Sequence, residues 1–230
     1  MSYLSWDTQR GGGGVNVSVP PDPIARFDFN YYTALSPTIA NRVQGQPPAT
    51  INLPSLNSYV IGVNSYLQLY FDLFPNQCGA ITAPTYTFRT LEIWWKYPTT
   101  YGGGQYILDA RSGAATAYWI SVFGAGPDNV GSDLLGSQIY VNGAYSFPLT
   151  VTVIPPALVA FSGLGWFQMV IVLPESITDD CTFFCRFSGE QSTIDAQVAD
   201  IAIYDTALSS SQIKALFNAK CSRYGLSPIP

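Results

Sequence analysis

The sequence predicts an all-β protein, a two-sheet antiparallel β-sandwich closed by one short C-terminal helix. Three observations carry that prediction. From Arg26 onward, apolar and aromatic residues alternate with a period of two or form short continuous runs. Clusters of Gly, Pro, Asn and Ser separate these runs, and apolar residues at helical spacing occur once, near the C-terminus. A chain of 230 residues lies within the range that sandwiches occupy as one unit, so residues 26–230 are expected to form one domain behind an N-terminal arm, 1–25.

The arm holds four consecutive glycines, 11–14, and the Pro-Pro-Asp-Pro run at 20–23, which suit neither a helix nor a central strand. It reads either as a disordered tail or as an extended arm that ties the domain to other protein subunits, with Tyr3, Leu4 and Trp6 as anchors. Its first residues, MSYLSWDTQRGGGG, lack the basic and apolar regions of a secretory signal, so the sequon at Asn16 is discounted.

The strand segments are RFDFNYY, SYLQLYFDLF, YTFRTLEIWWKY, QYILDA, AYWISVF, QIYVNGAYSF, LTVTVI, WFQMVIVL, CTFFCRF and VADIAIY. They are rich in aromatic and β-branched residues, as strands are. Asn142-Gly143, between alternating apolar residues, predicts a type I′ hairpin. Alternation points Trp94 and Trp95 to opposite faces, one of them core, and places Trp119 and Trp166 in the core as well. The dipeptide Asp179-Asp180 is expected to cap a turn.

The helix is expected over about 209–224. Ser209 and Gln212 form a capping box and Leu208 staples against Ile213. Ile213, Leu216 and Phe217 make one apolar stripe, and Gly225 ends the helix. So short a helix is unstable alone and should dock its stripe on the sandwich edge.

Composition narrows the function. Charged residues are only 11% against 47% hydrophobic and 14% aromatic, so the surface must be largely uncharged, which suits an exterior protein or one covered by neighbours. Net charge is −5 with scattered bases, so no phosphate backbone is expected as a partner. The longest apolar stretches, near 150–161 and 166–173, are too short for a membrane-spanning helix. The four cysteines, Cys78, Cys181, Cys185 and Cys221, have no metal-site spacing, and the chain has no His. Buried free thiols are the preferred reading, with a distant bridge such as Cys78 to Cys221 as the alternative.

The stretch VADIAIYDTALSSSQIKALF resembles the closing signature of laminin-G-like domains in the concanavalin A-like lectin/glucanase superfamily. LEIWWKY resembles that family's aromatic strand, and GWFQMVIVL its strand that usually begins Trp-His. The next strand, FFCRFSGEQS, takes the place of the family's own hairpin, which makes the earlier YVNG hairpin an additional or displaced one. The similarity spans about residues 26–219 and implies a concanavalin A-like jelly roll. Two departures stand out: Gln168 replaces the usual His, and no loop carries a recognisable calcium pattern.

Catalysis is not expected. Glucanases of that superfamily align carboxylates at alternate positions of one strand, whereas Glu92, Glu175 and Glu190 are far apart here. Without His, the common nucleophile–base arrangements are also missing. No cofactor is expected. Asp128, Asn129 and Asp133 on one loop could hold calcium, although a Gly/Asp turn is the simpler reading. The loop 96–106 is the best ligand candidate, because Tyr97, Tyr101 and Tyr106 on a glycine-rich connection offer faces on which sugars stack. The expected function is that of a non-catalytic structural or attachment protein of a large assembly, a virion or capsid-associated protein at an exposed surface. The alternative is a carbohydrate-binding lectin module acting through the Tyr97, Tyr101 and Tyr106 loop.

Overall fold

A computed structural model describes residues 19–29, 36, 38–52, 67–69, 80–96, 105–110, 119–122, 129–130, 136–148, 165–184 and 196–230. Its strands are β1 (Ala25–Asp28), β2 (Thr38–Ile39), β3 (Ala49–Asn52), β4 (Leu67–Leu69), β5 (Ala80–Lys96), β6 (Gln105–Asp109), β7 (Trp119–Val122), β8 (Asn129–Val130), β9 (Gln138–Val141), β10 (Ala144–Pro148), β11 (Trp166–Phe183) and β12 (Ala196–Tyr204). Helix α1 (Ser210–Lys220) follows, then a 3₁₀ turn (Cys221–Tyr224). Every strand pair is antiparallel. The fold is the all-β sandwich with a terminal helix that the sequence predicts.

Two long strands organise the sandwich. β5 and β11 pair from Trp166 opposite Lys96 to Phe183 opposite Ile81. The C-terminal half of β5 is flanked by β12, which carries β1, while β9 lies on the far side of β11. Its N-terminal half meets β3, and the end of β11 leads on to β6, β7 and β8. The β5–β11 register slips twice, between Val172 and Ile177 and between Asp179 and Cys181. Each slip coincides with a proline, Pro174 on β11 and Pro84 on β5, where a missing N–H breaks the ladder. At the first slip the Arg89 guanidinium donates to the carbonyls of Leu173 (3.4 Å) and Pro174 (2.9 Å), satisfying acceptors that the ladder abandons.

The slips correct two expectations. WFQMVIVL and the start of CTFFCRF, as far as Phe183, are parts of one strand, and Asp179-Asp180 lies within it at the second slip rather than in a turn. They also change the phase of the buried side chains. Ile81 and Ala83 face the core, then Tyr86 and Phe88, then Leu91, Ile93 and Trp95. The core they share includes Ile51, Leu108, Phe167, Met169, Ile171, Phe183 and Phe184. At its centre the Trp95 ring lies 4.8 Å from Phe167 and 5.4 Å from Phe184, tilted as aromatic quadrupoles prefer.

From Thr90 to Trp95, β5 is buried on both faces. The sandwich core covers one face, and α1 covers the other through Ile213, Leu216 and Phe217. The helix therefore docks across the outer face of the sheet, not on its edge as expected. Val170, Val172, Ala202 and Tyr204 present an apolar face there, and an edge contact would leave it in water. The capping box is formed: the Ser209 N–H donates to Gln212 Oε1 (2.8 Å), and the Gln212 N–H donates to Ser209 Oγ (3.3 Å). Leu208 and Ile213 share one apolar cluster, as a staple requires. Gly225, in the left-handed region at φ +72°, closes the 3₁₀ turn.

Asn142 (φ +49°) and Gly143 (φ +76°) make the expected type I′ turn between β9 and β10. The turn is bolted to β11 by the Asn142 N–H to the Gln168 carbonyl (3.0 Å) and by the Gln168 N–H to Asn142 Oδ1 (2.9 Å). A Cβ at Gly143 would stand 2.8 Å from Phe217 Cβ and 3.0 Å from Ile229 Cδ1. Gly143→Ala is therefore expected to lower stability by about 1–3 kcal/mol through overpacking and a strained φ. Denaturant midpoints check this; an unchanged midpoint would show that helix and hairpin are not in close contact.

Candidate functional site

The outer face beneath α1 gathers the chain's least expected side chains. Alternation that sends Ile93 and Trp95 into the core turns Glu92 and Trp94 outward, toward the helix. Gln168 on β11 and Asp200 and Tyr204 on β12 reach the same space, with Arg26 from β1 and Lys220 from the end of α1. Glu92 has a fully buried side chain and is saturated by protein donors. Its Oε1 accepts from Trp94 Nε1 (2.8 Å), Gln168 Nε2 (2.8 Å) and Lys220 Nζ (3.1 Å); its Oε2 accepts from the Tyr204 hydroxyl (3.1 Å) and Lys220 Nζ (3.1 Å).

Asp200 completes the cluster. Arg26 grips it through Nε (3.2 Å) and a second guanidinium nitrogen (2.8 Å), and Lys220 Nζ lies 3.1 Å from Oδ2. Burial pushes the Asp200 carboxyl up, but Lys220 and Arg26 together outweigh it and hold it below the usual carboxylate range. Burial raises the Tyr204 hydroxyl far above its ordinary value, and the neighbouring Glu92 charge adds to that. At the rim, Asp28 lies 3.9 Å from Arg26 and from Arg223. Charges taken from water at such cost need complete pairing, which each carboxylate here obtains. The two carboxylates that sequence separation keeps apart are thus joined by one ammonium group, with protein donors where a substrate would have to bind. A charge inside the apolar strands LEIWW and VADIAIY was the sequence signal for this cluster.

Beside it runs an aromatic ladder. Phe217 stacks on Trp94 (centroids 5.8 Å, 4° between planes), Trp94 on Tyr224 (4.3 Å, 16°), and Tyr224 meets Trp166 (5.5 Å, 43°). Trp94 is buried, whereas Tyr224 and Trp166 are only partly so and form the ladder's outer end. Trp166, expected in the core, begins β11, is only partly buried, and packs against the smaller cluster of Trp94, Ala199, Phe217 and Cys221. Its partner in the ladder of strands is Lys96, the last residue of β5. The Tyr224 hydroxyl is buried without a hydrogen-bond partner among the described residues, and burial pushes its ionisation well upward.

Of the residues singled out in the sequence, Tyr97, Tyr101, Asp128, Asp133 and the arm anchors Tyr3, Leu4 and Trp6 lie outside the described residues. Tyr106 is in β6 opposite Ser121, and Asn129, expected on a loop, is in β8 opposite the same serine. Among the described residues no group of three or more His, Cys, Asp or Glu side chains is placed to hold a metal ion. Cys181 and Cys221 are free and buried, so Cys221 does not take part in the alternative bridge; Cys78 and Cys185 lie outside the described residues. No helix among the described residues is long and apolar enough to cross a membrane.

No family model matches the chain, and no curated protein matches it. Solved structures do. The binding domain of botulinum neurotoxin DC in complex with rat synaptotagmin II aligns over 86% of this chain and 51% of its own, with a TM-score of 0.51 and 11% identity. The receptor-binding domain of the botulinum neurotoxin C/D mosaic serotype aligns over 90% of this chain and 55% of its own, at 0.52 and 10%. The binding domain of botulinum neurotoxin DC in complex with SialylT aligns over 86% and 51%, at 0.50 and 12%. The chain thus spans about half the length of these neighbours. At such identities the likeness is one of fold, a β-sandwich of the kind found in receptor-binding domains.

Lys220→Met leaves Glu92 and Asp200 buried without their shared cation and is expected to cost about 3–5 kcal/mol. Chemical denaturation checks this; a loss under about 1 kcal/mol would mean that the cluster is far more hydrated than its burial indicates. Because Asp200 is depressed in the folded chain, its stabilisation is present above the ordinary aspartate value of about 3.9 and is lost as pH falls through and below it. Thermal midpoints between pH 7 and pH 2 should fall steeply below about pH 4, and Asp200→Asn should flatten that fall.

Proposed function

We propose that this chain is a non-catalytic binding module, a lectin-like β-sandwich that recognises a glycan at the outer end of its aromatic ladder. The observation that carries the reading is the pairing of Trp166 and Tyr224, two partly exposed rings braced from behind by Trp94 and Phe217. Rings held this way lose little entropy when a sugar face stacks on them. Tyr97 and Tyr101 follow Lys96 closely in the sequence, and Lys96 is the residue that pairs with Trp166. The known binding domains that share the fold, one of them in complex with SialylT, support a recognition role.

The non-catalytic part rests on chemistry. The chain has no His, and the carboxylates that the fold does bring together, Glu92 and Asp200, are occupied by Lys220, Arg26 and neutral donors. The laminin-G-like assignment belongs to the same reading, supported by the capped helix that follows β12. An exposed or extracellular setting fits a glycan binder. The virion reading rests on the Gly/Pro-rich arm and the sparsely charged composition, and it gains nothing from the described residues.

A glycan array followed by calorimetry tests the proposal. Trp166→Ala and Tyr101→Ala should each weaken the best-bound glycan at least about tenfold, equivalent to ~1.4 kcal/mol, with the far-ultraviolet spectrum unchanged. Absence of binding to every arrayed glycan, or full affinity in both variants, would reject it.

A further inference from the structure

We propose that the cluster beneath α1 is a self-modification site, in which Lys220 Nζ and the side-chain carboxyl of Glu92 condense to an intramolecular amide with Asp200 as the proton carrier. Four features support this. Lys220 Nζ lies 3.1 Å from both oxygens of Glu92, and this equal spacing sets the nitrogen opposite the carboxyl carbon rather than beside one oxygen. A second carboxylate, Asp200, stands 3.1 Å from the same nitrogen. Solvent is excluded, with side-chain exposures of 0% for Glu92, 1% for Asp200 and 14% for Lys220, so the water released is not held at the bond to reverse the step. Finally, Trp94 Nε1 and Gln168 Nε2 both donate to Glu92 Oε1 at 2.8 Å, the arrangement that steadies negative charge on a carbonyl oxygen under attack.

The two acids are not interchangeable. Asp200 is gripped by the Arg26 guanidinium, which keeps it an anion at rest, so it holds a proton only in passing, between the nitrogen and the departing oxygen. Apart from Lys220, Glu92 meets only neutral donors, which leaves its carbon the more open to attack. The step balances without any outside reagent. The Lys220 ammonium passes a proton to Glu92, giving an amine and a carboxylic acid. The nitrogen lone pair forms a bond to the Glu92 carboxyl carbon, and the displaced electron pair settles on Oε1 between Trp94 and Gln168. Asp200 takes a proton from the nitrogen and delivers it to the departing Oε2 hydroxyl, beside the Tyr204 hydroxyl. The C–O bond breaks, one water leaves, and Asp200 returns to its anionic form.

The product ties the end of α1 to the middle of β5 and makes the outer cover of the sandwich permanent. Among the described residues Cys181 and Cys221 are free thiols, so neither supplies a covalent tie of that kind.

The test is the intact mass of the folded, full-length chain. The expected result is a mass lower than that of the sequence by one water, about 18 Da, with a protease digest yielding one branched peptide that joins Glu92 to Lys220. The closed loop should also make the denatured chain migrate faster in a gel. Lys220→Arg should restore both the full mass and the slower migration, and Asp200→Asn should slow the mass loss. A wild-type chain that keeps its full mass after prolonged folding overturns the proposal, whatever the variants do. So does a missing water that maps to any other residue.

Discussion

The outer face of the sheet is apolar enough to need a cover yet holds a glutamate and an aspartate, and the rest of the structure follows from meeting both demands at once. Helix α1 buries Val170, Val172, Ala202 and Tyr204, which removes water from Glu92 and Asp200 as well. A dry carboxylate is intolerable alone, so the helix end must bring a cation, and Lys220 in its last turn does so. The position also suits the helix, because a cation near its C-terminus meets the negative end of the dipole. Arg26 supplies the second positive charge and thereby draws the edge strand β1 into the same contact. Helix, sheet centre and sheet edge are thus fastened at one place.

The shape of the sandwich has a simpler origin. β5 and β11 are long enough to serve both layers, and the prolines at 84 and 174 decide where their ladder slips. Each slip resets which side chains face inward, so one pair of strands lines a continuous core while changing phase twice. The central tryptophan, Trp95, packs on Phe167 from the same end of the ladder and on Phe184 from beyond the other end of β11. That contact closes the layers on each other.

These two constraints meet at the aromatic ladder. Trp94 stands next to Glu92 on the covered face, donates to it, and stacks between Phe217 of the helix and Tyr224 of the 3₁₀ turn. The rigidity of the buried cluster is thereby passed outward, ring by ring, to Trp166 and Tyr224 at the surface. A recognition surface benefits from such bracing, because side chains already fixed in the free protein lose less freedom on binding. Gly143 shows how closely the parts fit, since the hairpin approaches Phe217 within a distance that no side-chain carbon would permit.

The amino-acid sequence alone determined the features that depend on near neighbours. Period-two alternation marked the strands, Asn142-Gly143 named its turn, and Leu208, Ser209, Gln212 and Ile213 announced the helix start. These hold because a turn type or a cap is settled by a few consecutive residues. Tertiary structure decided the rest. That WFQMVIVL runs on as one strand to Phe183 depends on a bulge at Pro174, where Arg89 satisfies the stranded carbonyls. That the helix lies on a face follows from apolar residues on three separate strands, none of which shows an amphipathic helix its destination. The partnership of Glu92, Asp200, Arg26 and Lys220 joins four elements drawn from both ends and the middle of the chain. Only folding sets those charges within 3.2 Å of their partners and makes their pairing obligatory.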